Sequence, residues 1–187
     1  MTAAPDEDLL ARVDALPAEL FSGTTWRHTA PNRDPMSGAG ARAVGGRWNP
    51  RGLFPTVYLA LPLACCLAEA DRMAQSQQVT TADLIDAGRT LHTLEIRDVN
   101  LLDLRLPARL DAVGLEPADV RDDDWAPCQQ VGQAAWFLGR AGIIAASATG
   151  GGDVVALFEQ RLHPGQVTVT DSSPLTLDLY NQHRQAR

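Results

Sequence analysis

Two hydrophobic rhythms alternate along this chain. Leu9, Leu10, Val13 and Leu16 recur at helical spacing, which predicts a short helix over residues 5–20. TTWRHTA (24–30) is rich in threonine and aromatics and reads as a strand. A long glycine-rich loop, 31–55, separates it from a second short strand, TVYLA (56–60). From Pro62 the helical spacing returns, with Leu63, Cys66, Leu67, Ala70 and Met73 forming one stripe to about Gln77. RTLHTLEIR (89–97) alternates His92, Leu94 and Ile96 on one face, as a strand does, and NLLDL (100–104) reads as another.

The second half continues the alternation. PARLDAVGL and PADVRDDDW read as short helical turns, and QQVGQAAWFLGRAG (129–142) as a helix stopped by Gly142. GIIAAS (142–147) predicts a buried strand, followed by DVVALFEQRL (153–162) and QVTVTD (166–171) as further strands. The serines of SSPLTLDLYNQHRQ (172–185) look like helix caps, so that segment predicts a final helix. Strands and helices interleave with long loops and irregular spacing. The expected fold class is therefore α+β, a mixed sheet core flanked by helices, and not a regular βαβ array. We read residues 1–187 as one domain: an N-terminal helical extension (1–23), a core (24–171) and a C-terminal helix (172–187).

Composition narrows the function classes. At 187 residues the chain can bury a full core without disulfide staples. No apolar run approaches the ~20 residues of a membrane span, and the N-terminus lacks the basic flank and apolar core of a signal peptide. A cytoplasmic protein is expected. The net charge of −7 argues against direct nucleic-acid binding. All 16 positive side chains are arginines, which excludes a Schiff-base lysine and a P-loop lysine. Any cationic grip on phosphate must come from guanidinium, which suits planar bidentate recognition. Cys65, Cys66 and Cys128 do not form a disulfide framework, and the four histidines lack zinc spacing, so neither a metal nor a resident cofactor is expected.

GARAVGGRWNPRG (40–52) is the densest chemical stretch. It sets three arginines and a tryptophan among glycines that let backbone approach a ligand closely. Arg47 is its best phosphate candidate; Arg42 and Arg51 suit solvent and a partner surface equally, and Trp48 reads as an anchor for the loop. Arg27, mid-strand, opposes Trp26 and His28 by strand alternation. Glu69 falls at the edge of the 62–77 apolar stripe, from which a carboxylate can look into a cleft. Tyr58 suits either the core or an aromatic platform. Ser147 closes a strand before a glycine run that fits neither the P-loop nor the dinucleotide-binding spacing. Cys128 reads chiefly as a buried apolar residue.

In order, WRHT, GARAVGGRWNPRG, VYLA, the helix carrying Ala68–Glu69, and GIIAAS with GGGDVVALF resemble the RES-domain toxins of RES–Xre toxin–antitoxin systems. The DDW…CQ…AAWFL and FEQRLHPGQ segments look especially similar to mycobacterial NAD phosphorylase toxins within that family. The resemblance covers about Trp26 to Phe158. It implies a fold related to ADP-ribosyltransferases and cleavage of the nicotinamide–ribose bond of NAD. It also implies Glu69, Arg27 and Arg47 as catalytic residues and Arg27, His28, Arg47, Tyr58, Glu69 and Ser147 as the NAD-binding set. Two positions depart from the pattern: His28 replaces a tyrosine and Ala126 a serine.

NAD would be a substrate, with inorganic phosphate as co-substrate. Water or a protein side chain as acceptor would give hydrolysis or ADP-ribosylation instead, and a non-catalytic NAD- or partner-binding relative is the remaining alternative. The implied partner is a cognate Xre-type helix-turn-helix antitoxin that blocks the active site. The sequence leaves homo-oligomerisation open.

Overall fold

The structure, a computed structural model, describes residues 5–184. Its elements, in order, are α1 (Glu7–Ala15), β1 (Ala18–Thr29), α2 (Ala39–Val44), β2 (Thr56–Leu61), α3 (Leu63–Ser76), α4 (Thr81–Asp86) and β3 (Thr90–Asp103). There follow α5 (Pro107–Ala112), α6 (Ala126–Phe137), β4 (Gly142–Ala146), β5 (Asp153–Phe158), β6 (Val167–Pro174) and α7 (Leu177–Arg184). The class is α+β, as the interleaved rhythms predict.

The sheet runs β1-β2-β5-β4-β3-β6, and β1 also pairs with β3. Five strands therefore close into a ring, with β6 outside it on β3. Among the described residues only β3–β4 is parallel. The ring interior is apolar: Val57, Leu59, Leu94, Ile96, Val99, Leu101, Ile144, Val155 and Leu157 meet there. The outer face carries the alternate residues and is covered in two places. Helices α1 and α6 lie over Ala145, Ala156 and Phe158, while α3 and α7 lie over Ala60 and Val154. The ring has one weak seam: β1 and β2 share a single register position, Trp26 with Ala60.

Several boundaries differ from the sequence-based expectation. The helix expected over 5–20 ends at Ala15, because Leu16 precedes Pro17 and takes an extended conformation (ψ 132°). Strand β1 then begins at Ala18, inside the expected helical extension. The 31–55 loop contains α2, whose single Gly40 and flanking Gly38 and Gly45 hide its helical tendency. Helix α4 has no counterpart in the expected elements, although Thr80 and Asp83 close a reciprocal capping box. The two strands expected at 89–97 and 100–104 are one. Asp98 bends β3 with positive φ (48°), and Ser22 bonds both its backbone N–H and its carboxylate, absorbing the irregularity.

Strand β5 stops at Phe158 and a 3₁₀ turn, Glu159–Arg161, follows. Ser172 and Ser173 pair with His92 and Leu91 in the sheet and do not cap a helix. The cap of α7 is Thr176, whose hydroxyl accepts from Leu179 N–H at 3.2 Å.

Candidate active site

A cleft of about 470 Å³ opens on the outer face of the ring, between the two helix layers. Tyr58, Ala60, Ala146 and Val154 line its sheet side. Glu69, Arg72 and Met73 approach from α3, and Gly46, Arg47 and Trp125 from the opposite side. Trp26, Arg27 and His28 enter from β1. Of the six expected site residues, five line this one cleft: Arg27, His28, Arg47, Tyr58 and Glu69. The sixth, Ser147, is bonded directly to Glu69.

The glycine-rich loop is locked to the sheet by Tyr58. Its phenol accepts from Trp48 N–H at 2.9 Å and donates to Asn49 Oδ1 at 2.8 Å. Asn49 in turn donates to the Ala41 carbonyl, and Gln129 of α6 to the Gly46 carbonyl. Burial pushes the Tyr58 pKa up, so the phenol stays protonated and keeps its donor. Gly46 has no room for a side chain: a Cβ there would meet Tyr58 Oη at 2.5 Å. Gly132 of α6 packs directly under the Trp48 carbonyl, where a Cβ would collide. Trp48 is buried and anchors the loop, as expected, while Arg42 and Arg51 are solvent-facing.

Arg47 is fixed by its Nη1, which donates to the carbonyls of Asp119 (3.0 Å) and Asp122 (2.8 Å). Its guanidinium also lies 5.8 Å from the ring centre of Trp125. Those two carbonyl bonds use one nitrogen of the fork, Nη1. Arg27 stands on the opposite face of β1 from Trp26 and His28 and reaches the cleft at the β1–β2 seam. It donates to the carbonyls of Pro35 (2.5 Å) and Ser37 (3.2 Å), pinning the 30–38 segment. Burial pulls its pKa down, opposed by the charges of Asp34 and Glu159.

Glu69 faces the cleft from α3 while its Oε1 accepts from Ser147 Oγ at 2.6 Å. The Ser147 hydroxyl is itself held by Thr149, whose N–H donates to it at 3.0 Å and whose Oγ1 lies 2.7 Å away. Ser147 is buried, at 1% exposure, so it sits behind the carboxylate and not on the cleft surface. His28 meets Arg89, which donates to its Nδ1 from Nε (3.2 Å) and Nη2 (3.0 Å). Burial first, then the nearby positive charge of Arg89 and Arg27, pushes the His28 pKa down to about 3. The same physics keeps the cysteines as thiols: burial raises Cys66 to about 12 and Cys128 to about 11.

Sequence reasoning missed four contributors. Arg89 braces His28 from the turn after α4. Trp125 sits beside Arg47. Arg72 of α3 bridges the cleft mouth to Asp123 at 2.8 Å. Thr149 orients Ser147. Arg72 and Thr149 are local: one stands a turn beyond Glu69 on the same helix face, the other two positions after Ser147. Arg89 and Trp125 arrive from distant parts of the chain. Among the described residues, no three His, Cys, Asp or Glu side chains group to hold a metal ion.

A family model described as RES domain matches residues 24–178. Proteins from Mycobacterium bovis and Mycobacterium tuberculosis named NAD(+) phosphorylase MbcT are 45% identical to this chain over 184 residues. The match covers 98% of this chain and 99% of theirs. The fold also superposes on the crystal structure of the M. tuberculosis MbcT–MbcA toxin–antitoxin complex. The TM-score is 0.91 at 44% identity, covering 96% of this chain and 98% of that one.

Proposed function

The chain belongs to the RES domain family, and from that premise we propose that it is the toxin of a toxin–antitoxin pair, an enzyme that degrades NAD by phosphorolysis of its nicotinamide–ribose bond. The observation that carries this reading is the convergence of Arg27, His28, Arg47, Tyr58 and Glu69 on one cleft, in a chain 45% identical to NAD(+) phosphorylases over nearly its full length.

The residue chemistry supports it. Nicotinamide leaves NAD as a neutral molecule, so its departure needs little acid catalysis. The demand is instead to stabilise the oxocarbenium-like ribose that develops as the bond breaks. Glu69 supplies a carboxylate for that charge, oriented by the Ser147 hydroxyl. Arg47, held by carbonyls through Nη1, lines the cleft with a guanidinium suited to the pyrophosphate or the incoming phosphate. Arg27 contributes positive charge at the seam while holding the 30–38 segment. Tyr58 forms the floor and, through its hydroxyl, sets the shape of the loop opposite Glu69. A phosphate oxygen then bonds to the ribose carbon as the C–N bond breaks, and nicotinamide departs with the bonding pair.

The partner is an antitoxin that covers the cleft, in keeping with the toxin–antitoxin complex formed by the structural relative. Exposed Trp125 and the Arg72–Asp123 bridge at the cleft mouth are the surfaces it would meet. No helix among the described residues is long and apolar enough to cross a membrane, and an enzyme that consumes NAD acts on the cytoplasmic pool.

NMR of NAD incubated with the protein tests the reading directly. Nicotinamide release that accelerates with inorganic phosphate, with a phosphorylated ADP-ribose product, is expected. NAD remaining intact with and without phosphate would overturn it. Addition of the cognate antitoxin should abolish the turnover.

A further inference from the structure

We propose that Arg89 is a positioning residue of this cleft: it holds the His28 ring by Nδ1, so that His28 offers Nε2–H as a fixed hydrogen-bond donor to an acceptor oxygen of the bound nucleotide. The identity of that nucleotide rests on the function proposed above; the bracing of the ring does not.

The geometry leaves little choice of tautomer. Two guanidinium nitrogens of Arg89, Nε and Nη2, lie 3.2 and 3.0 Å from His28 Nδ1. A guanidinium has donors and no acceptor, so Nδ1 must present its lone pair. The single proton of the neutral ring therefore resides on Nε2, the nitrogen on the far side of the ring from Arg89. His28 lines the cleft, and a donor there is complementary to carbonyl, hydroxyl or phosphate oxygen and rejects a ligand N–H.

Arg89 also ties this wall to the other. Its Nη2 lies 3.5 Å from Met73 Sδ, and Met73 is one helical turn beyond Glu69 on α3. One side chain thus spans β1 and α3, the two elements that carry His28 and Glu69. The groups around the ring all favour the neutral form: Arg89 and Arg27 are positive, His92 adds to them, and the carboxylates of the cleft do not contact it. The Cys66 sulfur, from α3, accepts from the His28 backbone N–H and adds no charge. Protonation is held off to about pH 3, so the donor persists across the physiological range.

Histidine-selective ¹⁵N NMR of the intact protein is the test, with the His28 signals assigned by their loss in His28→Phe. In the wild type, His28 should show a protonated Nε2 and an unprotonated Nδ1, unchanged between about pH 8 and pH 5. In Arg89→Leu the ring should populate both tautomers, because the donor that excludes a proton from Nδ1 is gone. The same substitution should raise KM for NAD about three- to tenfold with kcat nearly constant, the effect of one lost hydrogen bond, and should add nothing in a His28→Phe background. A wild-type ring protonated on Nδ1 overturns the proposal without any variant. So does an unchanged tautomer in Arg89→Leu, or an equal KM rise when His28 is already absent. Should Arg89→Leu fail to fold, Arg89→Met, which also lacks a donor, is read by the same signals. If the chain consumes no NAD, the functional reading fails while the NMR arm still decides the bracing.

Discussion

Ser147 Oγ donates to Glu69 Oε1 at 2.6 Å, joining the end of β4 to α3 across 78 positions of sequence. The bond fixes a carboxylate that would otherwise sample several rotamers at the edge of a helix. It also occupies one carboxylate oxygen of a residue that lines the cleft.

Two substitutions separate these roles. Glu69→Ala removes the stabilising charge and is expected to cost at least ~10²-fold in NAD turnover. Ser147→Ala keeps the charge but frees its orientation and strands the Thr149 N–H, so a smaller loss, about tenfold, should accompany a destabilisation of about 1–2 kcal/mol. Steady-state kinetics and urea unfolding measure the pair. Equal losses from both variants would mean that the serine does more than orient.

Gly46→Ala should be damaging well out of proportion to its size. The added methyl meets Tyr58 Oη and Asn49 Oδ1, at 2.5 and 2.7 Å, and must break the contacts that hold the loop. Tyr58→Phe leaves the loop without its partner for Trp48 N–H and Asn49, at a cost of about 1–3 kcal/mol. Denaturant midpoints give the stability change. Hydrogen exchange should report faster opening over residues 45–52 in both variants.

Arg47→Ala should both raise KM for NAD and loosen the 119–125 segment, because one side chain serves the cleft and the Asp119 and Asp122 carbonyls. Arg47→Lys retains a charge but cannot form the planar fork, and is expected to recover little of the lost affinity. Exchange protection at 119–125, read beside the kinetics, separates the two effects.

His28 makes stability depend on pH in a definite direction. The folded ring stays neutral down to about pH 3, whereas an unfolded imidazole takes a proton below about 6.5. Between those values the unfolded chain binds more protons, so this contribution is fully present above about pH 6.5 and declines as pH falls. Its slope is at most about 1.4 kcal/mol per pH unit, and solvent at the cleft mouth reduces it. His28→Asn should flatten the stability profile between pH 6.5 and 4 relative to wild type; an unchanged slope would remove His28 as its source.

The sequence by itself determined the elements with strong rhythm and the residues with unusual chemistry. The stripe from Leu63 to Met73 forms a helix because its spacing leaves no other way to bury those side chains together. Glu69 at the stripe's edge, Arg47 among glycines and Tyr58 on a short strand were legible as one site once the ordered motifs were seen together. Boundaries were less legible where a tertiary partner overrode local preference. Ser172 looks like a cap but enters the sheet, because His92 Nδ1 lies 2.7 Å from its hydroxyl. Asp98 looks like a break but is carried through by Ser22.

Only the tertiary structure decided how the site residues are held. Position in sequence cannot reveal that Arg89 braces His28, that Ser147 stands behind Glu69, or that Arg27 reaches the cleft through a one-residue seam. These relationships join segments 61, 78 and more positions apart, and they depend on the closure of β1 onto β2 and β3. Periodicity reports which face a residue takes within its own element. Which distant donor meets that face is set by how the elements pack, and it is this pairing that fixes the proton on His28 and the orientation of Glu69.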